Sequence, residues 1–217
     1  MYISPGRKII FAHIPKTGGT SLALALEDRA MKDDLMLGDT PKALKRRSKW
    51  KALPPAQGRL WKHSSLADIA GAVPQTLIEE CFCFTLVRNP WDRIVSYYHW
   101  LRAQSFDHPQ VRLAQTLDFG SFVMNPDVGE AMKAWPARRY LTDASGVERA
   151  SLYIRLENFA EDAAPLFAHL GFSFVMPHEN TSERKRDWRP YFSESQARKV
   201  AEICSEDVSR FGYSFEG

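Results

Sequence analysis

Cysteine is scarce in this sequence, which contains three cysteines among its 217 residues. Such a small, odd set does not form the disulfide framework of a small secreted protein. Cys81 and Cys83 lie two residues apart within an apolar run, which is the spacing of small core residues on one face of a buried strand. No second group of Cys or His residues accompanies them at ligand spacing, so the sequence predicts no metal site.

Long hydrophobic runs are also lacking. No segment approaches the roughly 18 apolar residues of a transmembrane helix. The apolar stretch at residues 9–14 is too short for the core of a signal peptide, and His13 interrupts it. We therefore expect no transmembrane segment and a cytoplasmic location. The net charge is only +3, which is too weak to indicate a nucleic-acid partner.

Strands and helices alternate along the chain. Continuous apolar runs at residues 8–14, 81–87 and 151–156 predict buried strands, because strands covered on both faces lack the polar–apolar alternation of exposed ones. A helical pattern follows each of these runs. The alternation predicts a single α/β domain over residues 1–217, in which a parallel sheet has helices on both sides.

Capping residues set the expected ends of the helices. Asn89 is followed by proline, which is the pattern of a helix start after the second strand. Gly171 is expected to end the helix after the third strand, and Asp162 to cap its beginning. Ser193 and Gln196 have the spacing of a capping box before the last helix.

The sharpest local signal is the loop PKTGGTS at residues 15–21, between the first strand and a helix. Its two glycines permit a tight turn and a close approach of the backbone to a ligand. Main-chain N–H groups at the start of the helix, two hydroxyl groups and the ammonium of Lys16 would surround an anion there. Taken alone, the loop fits a plain glycine-rich turn equally well.

The order of residues separates this loop from that of the nucleoside triphosphatases. Their pattern, G-x-x-x-x-G-K-[ST], places the lysine after the last glycine and supplies a hydroxyl group for magnesium. Here Lys16 precedes Gly18 and Gly19. The second strand is followed by Arg88 rather than by an acidic residue that could hold magnesium. The pattern favours an anion site that works without a metal.

A second candidate anion site follows the second strand. Arg88 comes directly after that strand, and Ser96 lies eight residues later within the next helix. Ligands of parallel α/β sheets bind at the carboxyl ends of the strands, so we expect Arg88 at the same edge as the glycine loop. Each residue alone would be a strand-capping arginine or a helix-surface serine. Because both follow a second buried strand, they favour a phosphate site.

The segments HIPKTGGTSL and VRNPWDRIVSYY, together with the C-terminal part, resemble the sulfotransferases that use 3′-phosphoadenosine 5′-phosphosulfate (PAPS). The branch that they resemble most includes the heparan sulfate 2-O-sulfotransferases and related bacterial proteins. The resemblance covers residues 8–215. It implies the sulfotransferase fold, which is a three-layer α/β/α arrangement like that of P-loop nucleoside triphosphatases. It also implies metal-free, in-line transfer of a sulfuryl group to a hydroxyl acceptor, such as a saccharide or another small alcohol.

The resemblance assigns roles to individual residues. Arg88 and Ser96 would hold the 3′-phosphate of PAPS. The 5′-phosphosulfate would be held by the loop, through Lys16, Thr17, Gly18, Gly19, Thr20 and Ser21. Lys16 would also stabilise the charge on the leaving group during catalysis.

In that branch, a segment with the pattern H-x-S-x-x-D supplies a catalytic histidine. The segment WKHSSLADI matches this spacing with His63, Ser65 and Asp68. The resemblance thus makes His63 the general base, a role that suits a side chain titrating near neutral pH.

Two basic segments are further candidates for binding. Related enzymes close a basic C-terminal loop over the nucleotide, which would add Arg184 and Lys185 to the 3′-phosphate site. The run KALKRRSKWK at residues 42–51 suits an anionic acceptor such as a glycan, but equally a solvated surface.

Two other functions stay open at this stage. A small kinase on the same kind of sheet would require magnesium and a triphosphate. A catalytically inactive module would bind the nucleotide without turnover.

Overall fold

A five-stranded sheet forms the centre of the fold. The structure is a computed structural model, and it describes residues 1–177 and 187–217. The strands run in the order β3-β1-β2-β4-β5 across the sheet. They are β1 (Tyr2–Ser4), β2 (Ile9–Ala12), β3 (Leu35–Met36), β4 (Phe82–Val87) and β5 (Ala150–Arg155).

The sheet combines parallel and antiparallel pairs. Strands β2, β4 and β5 are parallel, as predicted, and they correspond to the three apolar runs. Strand β1 pairs antiparallel with both β2 and β3, and neither β1 nor β3 was predicted. The carboxyl ends of the three parallel strands therefore lie at one edge of the sheet, which is where ligands of such sheets bind.

Helices follow each of the parallel strands. Within the described residues they are α1 (Gly19–Asp28), α2 (Pro41–Lys45), α3 (Arg47–Lys51), α4 (Gln75–Glu80), α5 (Pro90–Arg102), α6 (Pro109–Thr116), α7 (Phe119–Met124), α8 (Pro126–Lys133), α9 (Ala137–Tyr140), α10 (Phe159–Asp162), α11 (Ala164–Leu170), α12 (Glu194–Ile203) and α13 (Ser205–Phe211). None of these helices is long and apolar enough to cross a membrane.

Most of the predicted caps are confirmed. The side chain of Asn89 accepts a hydrogen bond at the start of α5, Gly171 ends α11 with a φ of 74°, and Ser193 forms the capping box of α12. The prediction for Asp162 is wrong, because Asp162 ends α10 and Ala163 precedes α11. Its carboxylate instead binds the guanidinium of Arg155 through both oxygens, at 2.8 and 2.9 Å.

The described chain divides into two compact units. The first comprises Met1–Val87 and Ala137–Asn180, and the second comprises Arg88–Pro136 and Thr181–Gly217. The core of the first unit is made by the sheet with α1 and α11, and it includes the fully buried Phe11 and Phe84. The second unit packs the apolar face of α5 against α6, α7, α8 and α12.

A buried carboxylate holds the turn that leads into β5. Asp143 is 2% exposed. Its two oxygens accept hydrogen bonds from the main-chain N–H and hydroxyl of Ser145, the N–H of Val147, Nε of Arg149 and Nε2 of Gln75. Burial alone would raise the pKa of Asp143, but the hydrogen bonds from Ser145 and Arg149 outweigh it and hold the pKa well below its ordinary value.

We expect Asp143→Ala to lower the free energy of unfolding by about 3 kcal/mol, because the substitution leaves several buried donors without a partner. Urea unfolding followed by circular dichroism measures this loss. The matched control is Asp107→Ala, whose side chain is 87% exposed and pairs with Arg112, and which should cost less than about 1 kcal/mol. Equal losses in the two variants would contradict the structural role of Asp143.

Candidate active site

The predicted anion loop lies at the carboxyl edge of the sheet. Strand β2 ends at Ala12 and α1 begins at Gly19, so residues 13–18 connect them directly. The end of β2 is fixed from the neighbouring strand, because the hydroxyl of Thr85 in β4 donates to the carbonyl oxygen of Ala12 at 2.7 Å. The strand–loop–helix arrangement predicted from the sequence is confirmed.

Both glycines of the loop are required by the structure. Gly18 has a φ of 84°, and a Cβ atom on it would lie 2.8 Å from Cδ1 of Leu156. A Cβ atom on Gly19 would lie 2.0 Å from Cδ2 and 2.4 Å from Nε2 of His13. Because these separations are far below van der Waals contact, any side chain at either position displaces its neighbour.

The remaining loop residues shape an open helix start. Lys16 has a φ of 66°, a left-handed conformation that is strained for a residue with a side chain. The hydroxyl of Thr17 donates to the carbonyl of Ile14 at 2.9 Å, which closes the turn. The N-cap of α1, Gly18, provides no side-chain hydrogen bond to the first N–H groups. An anion would satisfy those groups and would interact favourably with the helix dipole.

The predicted base, His63, lies beside this loop within the first unit. Its Nδ1 is 2.7 Å from the carbonyl oxygen of His13. A carbonyl oxygen can only accept, so Nδ1 carries the proton and Nε2 is left as a hydrogen-bond acceptor. The two imidazole rings meet edge to face with centroids 4.6 Å apart, and Trp61 contacts His63 at 4.9 Å.

The other residues of the His63 motif hold its loop in shape. The carboxylate of Asp68 accepts hydrogen bonds from the N–H and hydroxyl of Ser65, at 2.7 and 2.9 Å. In return, the hydroxyl of Ser65 accepts from the N–H of Asp68 at 3.2 Å. This reciprocal pair fixes the turn that follows His63, whereas the imidazole itself is oriented by the main chain of His13.

Both histidines are held in the neutral state. Burial lowers the pKa of His63 to about 3; its hydrogen bond to His13 opposes this shift, and the charge of Lys62 adds to it. Burial also lowers the pKa of His13 well below its ordinary value, and His63, Lys62 and Lys16 act in the same direction. At neutral pH, His63 is therefore unprotonated at Nε2, as a general base must be.

These depressed pKa values predict an acid-sensitive fold. In the unfolded chain a histidine binds its proton near pH 6.5, whereas folded His63 does so only near pH 3. Between these values the unfolded state binds more protons, so the free energy of unfolding falls as pH falls, by up to about 1.4 kcal/mol per pH unit for each such histidine.

We expect urea unfolding at pH 7, 6 and 5 to show a shallower pH dependence in His63→Asn than in wild type. His169→Asn is the control, since that histidine is exposed and its Nε2 lies 2.9 Å from the carbonyl oxygen of Arg7; the slope of this variant should match wild type. An unchanged slope in His63→Asn would contradict the neutral state of His63.

Arg88 and Ser96 belong to the second unit and are described within it. The guanidinium of Arg88 binds the carboxylate of Asp92 through Nε at 2.8 Å and through a terminal nitrogen at 2.6 Å. Asp92 and Ser96 lie four residues apart on α5 and therefore share a face, where Ser96 is 4% exposed. The ion pair fixes the orientation of the guanidinium.

The two basic segments have different outcomes. Arg184 and Lys185 lie outside the described residues. Residues 42–51 form α2 and α3, and three of their cations are fixed by main-chain carbonyl groups: Lys42 by Glu27, Arg46 by Met31 and Lys49 by Lys32. A binding role for either segment stays a prediction.

A cavity adjoins the loop and the first turns of α1. Its polar lining consists of His13, Thr20, Glu27, Asp39, Thr40 and Lys62. Lys62 pairs with Asp39 at 2.6 Å, and the hydroxyl of Thr40 donates to the carboxylate of Glu27 at 2.7 Å. Sequence reasoning did not find this group of residues, because the positions that form it are far apart in the chain.

The position of His13 at the end of β2 was also not predicted from the sequence. The strand predicted at residues 8–14 includes His13, whereas β2 ends one residue before it. A polar residue at the carboxyl end of a buried parallel strand is itself a signal of a binding site. That signal was available in the apolar run that His13 interrupts.

A glycine loop at the carboxyl edge of a parallel sheet, followed by an uncapped helix start, is typical of α/β proteins that bind anionic ligands. The profile of the sulfotransferase family matches residues 1–214. The chain belongs to the sulfotransferase family and is a PAPS-dependent sulfotransferase.

Two further comparisons complete this result. Among solved structures, the chain is similar to the mouse sulfotransferase SULT7A1 complexed with PAP. The two are 18% identical, with a TM-score of 0.45, and the match covers 95% of this chain and 85% of that one. No curated protein matches the chain.

Proposed function

We propose that the protein transfers the sulfuryl group of PAPS to a hydroxyl group of a saccharide or another small alcohol. The observation that carries this proposal is the combination of an uncapped helix start after Gly18 with His63, whose free Nε2 is set by the carbonyl of His13. The first feature suits an anionic donor, and the second suits deprotonation of an alcohol.

The residues present fit such a donor. The N–H groups at the start of α1, the hydroxyl groups of Thr20 and Ser21 and the ammonium of Lys16 would hold the 5′-phosphosulfate. The oriented guanidinium of Arg88 and the hydroxyl of Ser96 would hold the 3′-phosphate. When bound, PAPS supplies an activated sulfuryl group whose leaving group is the 5′-phosphate.

The chain's own groups would act in three ways. Nε2 of His63 accepts the proton of the acceptor hydroxyl as its oxygen attacks sulfur. Lys16 and the N–H groups of α1 stabilise the negative charge that develops on the leaving oxygen. The loop and His63 would hold the two reactants in line, which removes much of the entropic barrier.

Polar groups beside the loop suit a hydroxyl acceptor. The lining of the cavity includes the carboxylate of Glu27, the ammonium of Lys62 and the hydroxyl of Thr40, among apolar side chains such as Met36 and Leu37. Such polar groups both donate hydrogen bonds to hydroxyl groups and accept them.

Isothermal titration calorimetry of adenosine 3′,5′-bisphosphate (PAP), without metal, tests the donor site. We expect wild type to bind PAP in preference to ATP with magnesium. Arg88→Ala should weaken binding by roughly 10- to 100-fold, since a bond to a charged group is lost. Because Arg88→Ala also removes the ion pair with Asp92, the double variant Arg88→Ala/Asp92→Asn is measured beside it, and Arg112→Ala serves as an exposed control.

Failure of wild type to bind PAP, or a preference for magnesium–ATP, would overturn the proposal and favour a kinase. Binding of PAP without transfer from PAPS to any of a panel of saccharides and alcohols would favour an inactive nucleotide-binding module.

A further inference from the structure

The side chain of His13 has no role in the mechanism given above, which uses only its carbonyl oxygen. The residue is the first beyond β2, and it is 6% exposed. Its ring stacks on Phe11 at 5.8 Å on one side and meets His63 at 4.6 Å on another. These contacts fix the imidazole at the base of the anion loop.

One edge of the His13 ring is directed at the start of α1. The atoms nearest to the Cβ position of Gly19 are Cδ2 and Nε2, at 2.0 and 2.4 Å. The Nε2 edge is thus packed against the first helical residue, beside the N–H groups that have no side-chain cap. His13 also lines the cavity, together with Thr20.

Neither ring nitrogen of His13 forms a hydrogen bond with any residue that the structure describes. His13 is also absent from the fully buried side-chain atoms that lack a partner among the described residues, so a ring nitrogen is accessible at the cavity that His13 lines. An accessible ring nitrogen beside the start of α1 is the arrangement of a donor for a ligand.

The surrounding charges decide in which state His13 would act. Burial and the charges of His63, Lys62 and Lys16 all lower the pKa of His13, so its ring is neutral. A neutral imidazole still has one N–H group, and it donates without giving up its proton. The same logic applies where a neutral histidine beside a helix N-terminus polarises a substrate oxygen.

We infer that the neutral imidazole of His13 donates a hydrogen bond from Nε2 to the 5′-anionic group held at the start of α1. This inference rests on the proposed function. It makes His13 a substrate-contacting residue that distinguishes a nucleotide with a 5′-phosphate or phosphosulfate from one without it.

Calorimetry with two nucleotides isolates this hydrogen bond. PAP carries both phosphates, whereas adenosine 3′-phosphate lacks the 5′-phosphate. We expect His13→Leu to weaken PAP binding by roughly 10- to 100-fold and to leave the affinity for adenosine 3′-phosphate unchanged. His13→Gln, whose amide reaches the position of Nε2, should restore most of the affinity for PAP, while His13→Asn, which reaches only the position of Nδ1, should not.

Nitrogen-15 NMR of the histidine rings gives a second readout that is independent of activity. We expect the Nε2–H signal of His13 to shift on addition of PAP and to stay in place with adenosine 3′-phosphate.

The outcomes separate this inference from the proposed function. If wild type does not bind PAP, the proposed function fails and the inference falls with it. If wild type binds PAP and His13→Leu binds both nucleotides as wild type does, the donor role is overturned while the proposed function stands. Equal loss of affinity for both nucleotides in His13→Leu would also overturn the donor role, because it would show that His13 acts only by packing.

Discussion

Gly19→Ala is expected to lower turnover strongly while leaving a folded protein. The added Cβ atom would lie 2.0 Å from the ring of His13, so the ring must move. The ring of His13 contacts the ring of His63, and the carbonyl oxygen of His13 sets the tautomer of His63. A single methyl group therefore disturbs both the anion loop and the proposed base. We expect kcat to fall by more than about 100-fold, since misplacement of about 1 Å has that effect.

The fold should tolerate the substitution at a moderate cost. Overpacking a buried site typically costs about 1–3 kcal/mol. Thermal unfolding and steady-state sulfuryl transfer are measured on the same preparations. Gly129→Ala is the matched control: it lies in α8, and its Cβ would make an ordinary contact of 3.6 Å with Ile203. This control should be at least as stable as wild type and should retain full activity.

A double variant tests the steric cause directly. Gly19→Ala/His13→Ala removes the ring that the new methyl group would strike. Its free energy of unfolding should exceed the value expected from adding the two single losses, because neighbours that collide are not additive. Additive losses, or a Gly19→Ala enzyme with the turnover of wild type, would contradict the geometry described for the loop.

The parts of this site that the sequence predicted are local in the chain. Strands β2, β4 and β5 show as continuous apolar runs because each is buried on both faces of the sheet. The caps of α5 and α12 show because a capping residue and its partner lie within a few positions. The glycine loop could also be predicted from the sequence, because the loop and α1 are consecutive in the chain.

The parts that could not be predicted depend on contacts between distant residues. The hydrogen bond that orients His63 joins positions 50 residues apart. The reason why Gly18 must lack a side chain lies in Leu156, beyond β5. Strands β1 and β3, with three and two residues, are too short for any periodicity. The prediction for Asp162 was wrong because a carboxylate near a helix start usually caps the helix. In this structure the carboxylate of Asp162 accepts a hydrogen bond from Arg155 instead.

His63→Gln is expected to lower kcat by roughly 10²- to 10⁴-fold, the usual contribution of a general base. Because the side chain lies beside the loop and is not assigned to nucleotide binding, the affinity for PAP should stay within about twofold of wild type. His169→Gln, an exposed histidine bonded to the carbonyl of Arg7, should retain the kcat of wild type. A His63→Gln enzyme with normal kcat would exclude His63 as the base.

The pH dependence gives the sharper test of the same residue. Burial holds the pKa of His63 near 3 in the free protein, so His63 is already deprotonated at pH 5 but is a weak base. An anion bound at the neighbouring loop would favour the protonated ring and raise that pKa toward neutrality, where general-base catalysis is most effective. The acid limb of kcat/KM, which reports the free enzyme, should therefore lie at lower pH than the acid limb of kcat, which reports the bound complex. Both limbs should disappear in His63→Gln. Coincident limbs that persist in the variant would assign the proton transfer to a different group.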